Sequence, residues 1–205
     1  MEPDVAKYCQ CMEEIKRRTL VVTRLLSGEL SAGYRMTNIE TVYLQLRKTL
    51  ELIALASLVA NVDEYSRQQK KFAQHWHAAR ILDDIQAVNP NFYPVPGVQV
   101  IDEATGKVKC VDSLKKPYLT RDDFVTLYEM CGGILHAENP YGQPRDIAAY
   151  DAQMGMWLDK TVALLNHHQV QLLDSELQLW VLMHAEHDGR VHGFIMQKIP
   201  PPSEV

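Results

Sequence analysis

"TNIETVYLQLRKTLELIALASLVAN", residues 37–61, decides the fold. Thr37-Asn38-Ile39-Glu40 has the Thr-x-x-Glu spacing of a capping box, in which the first turn of a helix satisfies its own free backbone groups. The residues that follow are apolar on most of the helix circumference, and such a helix must be packed among others. A central helix running to about Asn61 is therefore expected, the most apolar in the chain. At about 100° per residue, Glu40, Arg47 and Glu51 fall within about 40° of one another, so three charges share one narrow wedge of it.

Working outward, Val5, Tyr8, Met12, Ile15, Thr19, Val22 and Leu26 recur every three and four residues. This spacing predicts a helix from about Pro3 to Ser27, whose apolar stripe suits antiparallel packing or a dimer. A third helix is expected from about Asp63 to Val88, with Tyr65, Phe72, Trp76, Ala79, Leu82 and Ile85 inward, stopped by Asn89-Pro90. "VQVIDEATGKVKCV" (98–111) then alternates apolar and polar residues around a Thr-Gly turn and predicts an inserted hairpin. Thr120 with Asp123 caps a fourth helix, ending around Gly132 to Ala137, and Ile147 to His168 carries the periodicity of a fifth.

From residue 176 the alternation resumes on both sides of Asp188-Gly189, which predicts a β-hairpin closed by a two-residue turn, with "HQVQLLD" (168–174) as a third strand. The fold class expected is mainly α. It comprises a bundle of about five helices over 1–168, with the inserted hairpin, and a β-hairpin or small sheet over 169–205 ending in a disordered "PPPSEV" tail, all within one compact domain.

Composition fits a folded domain: 205 residues, 46% hydrophobic, 23% charged, net charge -5. The negative balance points away from general nucleic-acid coating. Contact with nucleic acid or a nucleotide would need a local basic patch such as "RQQKKF" (67–72) or "SLKKPYLTR" (113–121). The longest apolar run, Leu52 to Ala60, is half the length of a membrane span, and the start of the chain lacks the pattern of a signal peptide, so a cytoplasmic protein without membrane attachment is expected. Cys9, Cys11, Cys110 and Cys131 are expected to be reduced and structural. Cofactor fingerprints are absent from the sequence, and none is expected.

Two readings of the charged wedge are open. Arg47 and Glu51, at i and i+4, suit an internal ion pair; alternatively, Glu40, Arg47 and Glu51 line a cleft in which the planar guanidinium binds an anion or phosphate. His136, between paired glycines and Asn139-Pro140, is either a helix-end packing residue or a group that titrates near neutrality and touches a ligand with Asn139. "HAEHDGRVH" concentrates His184, His187, Asp188 and His192. With a two-residue turn, Ala185 faces His192, so at most two of the four converge, and no metal site is expected. His75 and His77 diverge by about 200° on a helix.

"LQLRKTLELIALASL" (44–58), followed by a long amphipathic helix and "YEMCGGILHAENP" (128–140), resembles the helical HEPN superfamily over about residues 37 to 168. The resemblance implies a helical bundle, often dimeric, acting as a ribonuclease or nucleotide-binding module in toxin and phage-defence systems. It also implies a catalytic Arg followed by four to six residues and a His. Glu129, Met130 and Cys131 occupy those Arg positions before His136, and none of the other seven histidines has an arginine so placed. Cleavage would then require Arg47, Arg121 or Arg145 to approach His136 through the fold. The functional expectation is a HEPN-like binding or regulatory module with a degenerate catalytic motif, working as a homodimer or with a protein partner. The alternatives are a ribonuclease or nucleotide-binding enzyme built from His136, Arg47 and Glu51, and a structural assembly subunit.

Overall fold

A computed structural model of the chain describes residues 4–61 and 78–198. Five helices are described: α1 (Val5–Leu26), α2 (Arg35–Ala60), α3 (Ala78–Val88), α4 (Arg121–Leu135) and α5 (Ile147–Leu165). Five strands join them: β1 (Val95–Ile101), β2 (Val108–Ser113), β3 (His167–Gln171), β4 (Leu177–Leu182) and β5 (His192–Gln197). No described helix is long and apolar enough to cross a membrane. Tyr65, Phe72, Trp76, His75, His77, "RQQKKF" and "PPPSEV" lie outside the described residues.

The helices form where periodicity and capping agree. Asp4 caps α1 by accepting from the Lys7 N–H at 3.0 Å. Thr120 and Asp123 make the expected reciprocal cap of α4, each side chain accepting from the other's backbone N–H at 3.1 Å. At α2 the helix starts two residues before Thr37, whose hydroxyl accepts from the Tyr34 N–H at 3.2 Å. The apolar stripe of α1, with Tyr8, Met12, Ile15 and Val22 all buried, packs against α2 within the chain. That stripe is consumed internally and is not left for a partner.

The β content is more than two separate hairpins. One antiparallel half-barrel sheet runs in the order β2-β1-β3-β4-β5, because Val95 and Pro96 of the inserted hairpin pair with Gln169 and His168 of β3. The inserted hairpin and the C-terminal strands are thus one surface. Pro96, His168, Val181 and Gly193 form a row on its inner face, where α1 packs on β5 and α5 packs on β1 and β3. Val95, Gln169, Trp180 and Phe194 form the next row, on the outer face.

The β4–β5 connection departs from the expected two-residue turn: Leu182, not Ala185, stands opposite His192, and residues 183 to 191 form the loop. Gly189 still takes the left-handed backbone (φ 67°) that favours glycine. The turn is wider because α1 draws it off the sheet. Glu13 accepts from the Val191 N–H at 2.7 Å, and Lys16 donates to the Gly189 carbonyl at 2.6 Å.

Helices and sheet meet at a buried polar contact. His168 is wholly buried; its Nδ1 lies 2.8 Å from the Leu165 carbonyl and its Nε2 2.9 Å from the Tyr8 hydroxyl. A carbonyl only accepts, so Nδ1 carries the proton and Tyr8 donates to Nε2. Burial holds the pKa of the imidazole down, to about 4. Unfolding exposes a histidine of ordinary pKa, about 6.5, so the unfolded chain takes up a proton first as pH falls. The stabilising contribution is complete above about pH 6.5 and is lost on descending to about pH 4, a change on the order of 3 kcal/mol. Denaturant titrations across this range are expected to show that loss, and His168→Gln is expected to flatten it. Tyr8→Phe, which strands the Nε2 acceptor, is expected to cost about 1–3 kcal/mol at neutral pH by the same measurement.

Candidate functional site

The charged wedge of α2 faces α4. The Arg47 guanidinium lies over the Tyr128 ring, 4.4 Å from its centroid, and Nη2 donates to the Tyr128 hydroxyl at 3.0 Å. Its Nε is 3.4 Å from Glu51, whose other oxygen accepts from Lys48 at 2.8 Å. Both Arg47 and Glu51 are largely covered, with side-chain exposures of 27% and 18%. A delocalised cation stacked on an aromatic face and paired to a carboxylate is held for packing and orientation, an arrangement worth about 0.5–2 kcal/mol. Glu40, nearly two turns earlier, makes no hydrogen bond or ion pair among the described residues and does not join this cluster.

The paired glycines of α4 adjoin two different neighbours. A Cβ at Gly132 would stand 3.4 Å from Arg47 Nη1, and one at Gly133 would stand 2.9 Å from the Tyr150 hydroxyl. Tyr150 cannot easily yield, because its ring is packed edge-on against Tyr43 at 5.3 Å and Tyr43 donates to the Tyr150 carbonyl at 2.9 Å. In the same turn, burial pushes the Cys131 thiol up to about 12 against the opposing pull of Arg47, so it is an inert core group.

His136 is the C-cap of α4, exposed and with extended backbone (ψ 147°). No hydrogen bond to its ring occurs among the described residues. Asn139 is occupied by its own turn: its side chain accepts from the Tyr141 N–H at 3.0 Å and its carbonyl from the Gly142 N–H at 2.9 Å. Of the three arginines, Arg47 is engaged by Tyr128 and Glu51. Arg121 pairs with Asp83 at the opposite end of α4, about 22 Å away along the helix axis. Arg145 comes to the His136 end, where its guanidinium donates to the carbonyls of Ile134 (3.3 Å) and Ala137 (3.1 Å), which bracket His136 in sequence. It thereby satisfies carbonyls that the helix end leaves free.

Sequence reading missed Tyr128 as the partner of Arg47; only the α2–α4 packing pairs them. It also missed His167, which is buried on the outer sheet face, edge-on to Trp180 at 5.9 Å. The His167 Nδ1 is turned toward Gly97 without a hydrogen bond of normal geometry. No protein-family model, no curated protein and no solved structure matches the chain.

The seam gives a coupled prediction. Glycine to alanine inside a helix ordinarily gains about 0.5–1 kcal/mol. Gly133→Ala is expected to lose that gain or to destabilise, whereas the same change in a Tyr150→Phe background, without the hydroxyl, is expected to stabilise. Thermal melts of the four proteins in this cycle measure the coupling; additivity of the two changes is the result that contradicts it.

Proposed function

We propose that the protein is a HEPN-like helical binding or regulatory module, acting in a defence or toxin-type system, that does not cleave RNA. What supports this reading above all is the commitment of Arg47. The guanidinium needed to steady a scissile phosphate is stacked on Tyr128 and paired with Glu51, while His136 stands at an exposed helix end. General acid–base chemistry requires the imidazole and the phosphate ligand to meet on one substrate, and these two groups have no common partner. Labelled RNA incubated with purified wild-type protein and with His136→Ala is expected to stay intact in both.

A second reading has one observation in its favour. Arg145 donates to carbonyls on either side of His136, beside the loop whose Tyr141 is 97% exposed, and an exposed aromatic is a platform on which a base can stack. Cleavage by wild type that disappears in both His136→Ala and Arg145→Ala is the result that makes the protein a ribonuclease and overturns the first reading.

The module works as a homodimer in this proposal, joined at β5. Natural edge strands are guarded by charge, proline or bulges. β2 has Lys109 and Asp112, and its pairing with β1 is interrupted by a register shift at Val100/Ile101. β5, "HGFIMQ", has no such guard and exposes Phe194, Ile195 and Met196 in succession. Antiparallel pairing of β5 with its copy satisfies both edges through one two-fold contact. Light scattering after size exclusion is expected to give a dimer at micromolar concentration for wild type and a monomer for the Phe194→Lys, Met196→Lys double variant. A monomeric wild type removes the dimer from the proposal.

A further inference from the structure

The wide turn between β4 and β5 gathers three ligand-type side chains far from the helical seam. One ligand atom each from His187, Asp188 and His192 lies within 4.8 Å of the others. Asp188 Oδ2 is 3.0 Å from His192 Nε2 and 3.6 Å from His187 Nε2. Donors bound at about 2.1 Å around a four-coordinate ion are separated by about 3.4 Å, so these two edges straddle the separation such an ion demands. The third edge is closed by rotation of His187, whose side chain is 70% exposed and free to turn.

The frame around Asp188 and His192 is fixed. Asp188 Oδ1 accepts from the Arg190 N–H at 2.8 Å, which leaves Oδ2 for the histidines. Glu13 and Lys16 of α1 clamp the loop through the Val191 N–H and the Gly189 carbonyl. The His192 ring lies nearly parallel to Phe194, at 18° and 6.4 Å, and 4.9 Å from the His187 ring. Support of this kind, which sets ligand orientation before an ion arrives, is what distinguishes a site from a chance meeting of surface groups.

We propose that His187, Asp188 and His192 form a binding site for a divalent first-row transition metal. Two imidazole nitrogens and one carboxylate oxygen suit Zn2+ and its neighbours better than Mg2+ or Ca2+, which take oxygen ligands. Three protein ligands leave a fourth position facing solvent. Without metal, His192 Nε2 donates to Asp188; ligation through Nε2 moves that ring proton to Nδ1. The site does not rest on the reading of the helical seam.

Titration of the chelator-stripped full chain with ZnCl2 tests this, alongside titration with Co2+ followed by its visible absorption. Wild type is expected to take up one ion per chain with the intense band of a four-coordinate centre. His187→Ala, Asp188→Asn and His192→Gln are each expected to weaken binding at least about tenfold, while His184→Ala, a neighbouring exposed histidine outside the triad, leaves it unchanged. Circular dichroism establishes that each variant is folded, and His187→Ala, whose side chain touches little else, carries the test if Asp188→Asn disturbs the turn. Absence of uptake by wild type overturns the site, as does undiminished uptake by His187→Ala or His192→Gln, which would place the ion elsewhere in the chain.

Discussion

A neutral histidine held in the dark interior by one tyrosine hydroxyl and one carbonyl is the contact on which the layering of this protein depends. His168 lies on the inner row of the sheet and Tyr8 on the first helix, and neither polar atom has water to fall back on. A buried acceptor without its donor costs more than the bond itself contributes, so the pair dictates where α1 sits as well as stabilising it there. From that placement follow the coverage of β5 by α1, the reach of Glu13 and Lys16 to the β4–β5 loop, and the packing of the α1 stripe against α2.

The helical seam and the sheet divide the labour of the fold differently. In the seam, α2 brings charge inward beside Gly132 of α4, while Gly133 leaves room for the Tyr150 hydroxyl of α5. The result is an electrostatically satisfied interface in which Arg47, Tyr128 and Glu51 hold one another and the Cys131 thiol is kept protonated. The sheet carries polar groups on its outer row, with Gln169 beside Trp180 and Phe194, and two histidines, His187 and His192, gather where β5 begins.

Much of this was legible in the residues alone, and the rest failed for identifiable reasons. Apolar spacing of three and four found α1, α2, α4 and α5, and the Thr120–Asp123 cap was readable because both partners lie within one turn. The Arg47–Glu51 pair was visible for the same reason. Strand alternation found β1, β2, β4 and β5 but carried no information about partners, so the pairing of Val95 with Gln169, which fuses two hairpins into one sheet, was hidden. The β4–β5 register was misread because local turn chemistry at Asp188-Gly189 yields to Glu13 and Lys16, which act from the far end of the chain. That same register left at most two of His184, His187, Asp188 and His192 convergent, where the wider loop brings three together, and Tyr128 was invisible as a partner of Arg47 because the helices that join them are long-range neighbours.

The clamp between α1 and the last loop also has a consequence for how the chain matures. Tyr8 and His168 are 160 positions apart, and Glu13 meets the Val191 N–H across 178. α1 is therefore made long before β5, and its contacts with the sheet stay open until that strand follows. Contacts of such span close slowly because the loop entropy must be met before they form. The outermost described elements also lie side by side, with Gly193 of β5 against Val5 and Cys9 of α1, so the contacts most distant in sequence are among the closest in space.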